Sequence, residues 1–154
     1  MAAFDHHVTF EDVATTPGSF KTICSIGAPA NHNLRIKGFA LAFSGIAGDA
    51  KPIAIRFQRH TATSGTGTTA TKTALHGANS ALTPLCFAEV DYSSEPTGKT
   101  GILYAQKLHP QGGADFQRHF DDFVVAAGQE VGLQVKVETG QTAVVVSGYI
   151  HVEE

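Results

Sequence analysis

The chain has 154 residues, of which 42% are hydrophobic and only 16% charged, with a net charge of −3. That length suits one domain with its own core, and a charged fraction well below the usual quarter or so leaves a surface of Thr, Ser, Gln and Gly, or one covered by a partner. The negative balance and the absence of any Lys/Arg cluster argue against nucleic acid as a partner, and no apolar run approaches the roughly 18 residues of a membrane span.

The N-terminal segment, 1–18, alternates only weakly, with Phe4, Phe10 and Val13 as its apolar points. It reads either as a frayed end with an edge strand or as an arm that reaches a neighbouring molecule, with Phe4 or Phe10 as anchors. It has no basic stretch followed by an apolar one, so no signal peptide is read and a cytosolic site of synthesis is expected. Residues 1–18 are taken as an arm or edge segment and 19–154 as the one β-sandwich domain, with no boundary between domains. Beyond the arm, Phe20–Ile26, Leu34–Phe43, Ile53–Phe57, Leu85–Val90 and Ile102–Leu108 read as strands. Turn-rich segments at Ala28–Asn31, Ser44–Pro52, Ser93–Gly101 and His109–Gly113 separate them. The best helix candidate is Ala114–Phe123, short and carrying three aromatics.

Val131, Leu133, Val135 and Val137 alternate with polar residues or glycine, and Val144, Val146, Gly148, Ile150 and Val152 repeat the pattern. The short Glu138–Thr142 segment between them reads as a turn, which predicts a C-terminal antiparallel hairpin. Seven or eight short strands give an all-β fold, a single antiparallel β-sandwich or jelly roll.

The stretch Arg59–Gly77 contains three glycines, many threonines and almost no large apolar side chain. A phosphate loop needs a Lys directly after the last glycine of its motif, and Lys72 is not so placed. The stretch therefore reads as a mobile loop, or as one ordered by a neighbouring subunit through backbone and hydroxyl hydrogen bonds. The eight histidines are scattered, with His6 and His7 pointing to opposite sides of an extended chain. No His-x-His or nucleophile-elbow Gly-x-Ser-x-Gly occurs. Acidic residues near His7 and His119 are read as solvated loop ends rather than an acid/base pair or ion site. Cys24 and Cys86 have apolar neighbours, which favours two reduced core thiols over a bridge. No catalytic residue, cofactor or metal is expected, and a cupin-like metal enzyme is the weakest reading.

Several pieces, in order, resemble a group of small β proteins encoded by tailed bacteriophages and prophages. They are NLRIKGFALAFSG, IRFQRHTATSGTGTTATK, EPTG, LHPQGG and the final VGLQVKVETGQTAVVVSGYIHVEE, spanning roughly residues 31–154. The resemblance implies a virion structural protein of jelly-roll type, often a homotrimer, such as a head decoration or cement protein. It implies as partners a sister subunit and the major capsid protein or another virion protein, with the capsid surface as location. It offers no catalytic residue to carry over. On this reading Arg59, Thr61, Thr63, Thr66 and Thr68, with Phe4 and Phe10, are interface residues. The alternative is a trimeric receptor- or glycan-binding head, which calls for polar and aromatic side chains gathered in one groove.

Overall fold

The computed structural model describes residues 4–46, 51–61, 65–75, 83–112, 114–116 and 123–154. The described residues form twelve strands: β1 (Asp5–Ala14), β2 (Lys21–Gly27), β3 (Leu34–Ser44), β4 (Ile53–Thr61), β5 (Thr66–Thr69), β6 (Thr71–Ala74), β7 (Phe87–Ser94), β8 (Ile102–Leu108), β9 (Ala114–Phe116), β10 (Val124–Val125), β11 (Gln129–Lys136) and β12 (Val145–Glu153). They make two antiparallel sheets packed as a sandwich. The first runs β10-β3-β12-β1-β6, with β9 also paired to β3, and the second runs β5-β7-β2-β11-β4-β8. Among the described residues there is no helix, and hence none long and apolar enough to cross a membrane.

The alternation read from the sequence sets which side chains meet in the middle. Val131, Leu133 and Val135 of β11 and Ile53, Ile55 and Phe57 of β4 face Ile36, Phe39 and Leu41 of β3 and Val146, Ile150 and Val152 of β12, all buried. Each such side chain contributes about 1.5–3 kcal/mol when removed from water. Phe39 and Phe57 join the two sheets edge to face, with ring centroids 5.1 Å apart. Phe10 is paired with Gly148, where a Cβ would lie 3.1 Å from Phe10 Cζ and against the backbone carbonyl of Ala40. A glycine is needed there for the ring to reach the core.

Four expectations change. The predicted C-terminal hairpin does not form, because β11 pairs with β2 and β4 while β12 pairs with β1 and β3. The chain between them crosses from one sheet to the other. Alternation is satisfied equally well by two strands of one sheet and by two strands facing each other across a core, so it cannot distinguish the two. The crossover is pinned by its neighbour from β1 to β2: Thr15 N donates to Val144 O at 2.9 Å and Gly18 N to Val137 O at 2.8 Å.

The N-terminal arm is instead strand β1, hydrogen-bonded to β12 on one side and β6 on the other. Residues 5–14 therefore belong to the sandwich, and the division drawn at 18/19 falls inside it. His6, Val8, Phe10 and Val13 are buried. A bulge between Phe10 and Val13, where Asp12 takes φ 52°, breaks the period and makes the strand look irregular in sequence.

The described part of Arg59–Gly77 is not a free loop either. β4 continues through Thr61, β5 pairs with β7 of one sheet, and β6 pairs with β1 of the other. Ala70, buried between them, donates its amide to Ala88 O at 2.9 Å. Both short strands are edges without a buried residue: β5 is exposed but for Gly67, and in β6 exposed Thr71 and Thr73 alternate with half-buried Lys72 and Ala74, so neither carries an apolar face legible in sequence. Finally, β9 occupies the start of the expected helix Ala114–Phe123; residues 117–122 lie outside the described residues.

Cys24 and Cys86 are buried free thiols, as expected. Burial pushes the Cys24 thiol far up from its ordinary range.

Candidate functional site

The outer face of the second sheet is polar and only half covered. The segment 95–101 folds over one half of it. The Glu95 carboxylate accepts from Thr22 N at 2.9 Å and from Thr22 Oγ1 at 2.6 Å. Arg59 N donates to Gly101 O at 2.8 Å, Thr100 N to Arg59 O at 3.0 Å, and Gln58 Nε2 to Gly101 O at 2.8 Å. The region encloses Thr22, Gln134 and His60, all buried, with Gln134 Nε2 donating to Thr22 Oγ1 at 2.9 Å.

The other half stays open as a cleft of about 490 Å³, with Ser25, Gly27, Phe87, Glu89, Gly128 and Glu130 among its lining. Gly27 and Gly128 contribute only backbone, which leaves the cleft room. Phe87 stands 67% exposed on its wall. Tyr92 OH is hydrogen-bonded to Ser25 Oγ and donates to Glu130 Oε1 at 3.1 Å. Burial holds the Tyr92 phenol well above its ordinary pKa and raises the Glu130 carboxyl too. The cleft thus offers an aromatic face beside carboxylates and hydroxyls, a combination suited to stacking and hydrogen bonding with a hydroxyl-bearing ring or a partner's side chain. No histidine or lysine is among its described lining residues.

The residues expected at an interface are not gathered in one place. Thr66 and Thr68 are exposed on edge strand β5, and Thr61 is exposed at the end of β4. Gly65, next to Thr66, lines the cleft, so part of the Gly-Thr stretch forms its rim. Thr63 lies outside the described residues. Arg59 is half-buried and its Nη2 donates to Val124 O at 3.2 Å, tying one sheet to the other. Phe10 is 2% exposed in the core, which corrects its assignment as an external anchor. Phe4 is half-buried, stacked on His6 with centroids 5.7 Å apart, and exchanges backbone hydrogen bonds with Glu154.

Sequence reasoning missed Phe87, Leu85, Tyr92 and Glu130. The signal was present in Leu85-Cys86-Phe87-Ala88, where both alternating sets are apolar and one of them faces outward: Leu85 is 61% exposed, Cys86 only 1%. Among the described residues, one group of side chains can hold a metal ion: His6, Cys86 and Glu154, far along the chain from one another.

No family model, curated protein or solved structure matches this chain.

Proposed function

We propose that this chain is a structural protein of a bacteriophage virion, a head decoration or cement protein that acts as a homotrimer on the capsid surface. Strand order is the observation that carries the reading. Leaving aside β5–β7 and β9, successive strands alternate between the sheets except for β4 and β8, which pair within the second, giving β10-β3-β12-β1 opposite β2-β11-β4-β8. This order supports a jelly-roll reading, in which β5–β7 enter as an insertion that extends the edges of both sheets. The resemblance of residues 31–154 to phage β proteins points the same way. A fastener also needs surface to bury. Leu75, Leu85, Phe87 and Ile102 are exposed large apolar residues, and the Thr-rich strands β5 and β6 leave open sheet edges that a sister subunit or capsid protein covers.

The test is the mass in solution, by light scattering after size exclusion. Three times the 16.2 kDa chain at micromolar concentration is expected, followed by cosedimentation with heads of the phage that encodes it. A stable monomer that leaves heads unoccupied defeats the proposal.

The cleft favours a second reading, a receptor- or glycan-binding head. Its Phe87 wall with Ser25, Tyr92 and Glu130 behind is the polar and aromatic groove that such a module requires. Saturable glycan binding that is lost in Phe87→Ala supports it; a flat response across a glycan panel removes it.

A further inference from the structure

His6, Cys86 and Glu154 are separated by up to 148 positions in the chain, yet their donor atoms all lie within 4.8 Å of one another. His6 projects from β1, Cys86 immediately precedes β7, and Glu154 follows β12. His6 Nε2 is 3.1 Å from Cys86 Sγ and 3.7 Å from Glu154 Oε1. A fourth donor stands at the open side. His32, in the connection from β2 to β3, has its Nε2 4.0 Å from Glu154 Oε2 and a side chain 30% exposed. The first three are enclosed: His6 is 0% and Cys86 1% exposed.

We propose that these residues form a structural site for a borderline-soft divalent cation of the Zn²⁺ type, with His6, Cys86 and Glu154 as ligands and His32 closing the fourth position. Imidazole, thiolate and carboxylate are the donors such an ion takes, at about 2.0–2.3 Å. A tetrahedron with those bond lengths places its donors roughly 3.3–3.8 Å apart. The separation of 3.7 Å lies inside that range and that of 3.1 Å just below it, the Cys86–Glu154 pair lies within 4.8 Å, and His32, 4.0 Å from Glu154, moves inward to complete the set.

The surroundings hold the ligands in place. Glu154 Oε1 accepts from Cys86 N and Oε2 from Leu85 N, both at 2.9 Å, which fixes the carboxylate against the cysteine's own backbone. Such outer contacts orient ligating groups ahead of the ion. Lys72 Nζ donates to Cys86 O at 2.8 Å and Pro84 O at 3.2 Å, bracing the same turn. The Phe4 ring covers His6. His6 Nδ1 has no hydrogen-bond partner among the described residues, so the protein leaves its tautomer open; a metal on Nε2 sets it as Nδ1–H. Binding exchanges a proton for the ion: the S–H bond of the free Cys86 thiol breaks, the S–metal bond forms, and one proton leaves to solvent. The nearby Lys72 charge opposes the cation and the Glu154 and thiolate charges favour it. The ion would cross-link β1, β12, the start of β7 and the β2–β3 connection.

The experiment is a Co²⁺ titration of chelator-treated protein, read by absorption. One equivalent is expected, with a thiolate-to-cobalt charge-transfer band that added Zn²⁺ erases. Cys86→Ser abolishes the band, Cys24→Ser retains it, and Glu154→Gln weakens Co²⁺ binding tenfold or more. Wild-type protein with no charge-transfer band at tenfold excess Co²⁺ overturns the proposal, whatever the variants do. So does a band that survives in folded Cys86→Ser.

Discussion

His6 and His60 are both fully buried, on opposite sheets, and burial lowers the pKa of each, that of His60 to about 4. Their surroundings differ completely. His6 meets a thiol and a carboxylate within bonding reach. His60 lies over Gly132, where a Cβ would strike its ring and also sit 3.1 Å from Thr22 Cγ2. Neither nitrogen of His60 has a hydrogen-bond partner among the described residues. Burial, with the Lys99 and Arg56 charges adding to it, therefore lowers an imidazole pKa with no converging donors, and a shifted pKa does not mark a site. What separates chemistry from packing is whether other donors converge on the ring. The unpartnered nitrogens of His60 are a standing cost in stability, of the order of 1–3 kcal/mol for each buried polar group left unmade.

The largest expected effect follows from that neutral ring. In the unfolded chain His60 takes up a proton near its ordinary pKa of 6.5, while in the fold it resists until about pH 4. Its stability contribution is therefore complete above pH 6.5 and is lost as the pH falls toward 4, by about 3 kcal/mol in all. Urea unfolding of wild type and His60→Leu across pH 4–8 measures this. If His60 is packing alone, the leucine variant is at least as stable at pH 8 and loses roughly that much less on acidification. A variant that is weaker at every pH would show that the imidazole makes an interaction the packing picture lacks.

Next in size is Gly132→Ala, which crowds His60 and should cost about 1–3 kcal/mol by overpacking. The same substitution in a His60→Ala background should cost much less, and the double-mutant cycle reads the coupling directly. Additive losses would place the strain elsewhere on β11. Glu95→Gln weakens the cover over this half of the sheet by removing the carboxylate charge opposite Thr22. About 1 kcal/mol is expected at pH 7, in line with the difference between charged and neutral hydrogen bonds, and faster amide exchange at Thr22 is the local readout. The smallest change in the monomer belongs to the open half: Phe87→Ala should shift unfolding by no more than about 0.5 kcal/mol. Its effect should appear in self-association or ligand binding, and a large loss of monomer stability would mean the ring is core after all.

The sequence carried much of the sandwich. The inward sets on β11 and β12, Val131/Leu133/Val135 and Val146/Ile150/Val152, were legible because strand side chains repeat every second residue and water enforces the choice of face. The extent of β8 was read in full, and β2, β3 and β4 in large part. The sites were far less legible. Phe10 looked like an anchor because a bulge at Glu11–Asp12 hid its strand, and Phe87 was passed over because its neighbours read as core. His6, Cys86 and Glu154 have no spacing to recognise, since they come from three separate parts of the chain.

Composition and alternation by themselves determined that this protein is all-β, that its thiols are buried and which faces of its main strands turn inward. Those properties follow from local geometry and from the free energy of hiding apolar surface. Only the tertiary structure decided that β11 and β12 part to opposite sheets, that the Gly-Thr stretch forms an edge of each sheet, and that His6 meets Cys86 and Glu154 while His60 packs beside Gly132 and Thr22. Those outcomes depend on which strands pair, and backbone hydrogen bonds are the same for every partner, so the pairing is settled by the packing of the whole core.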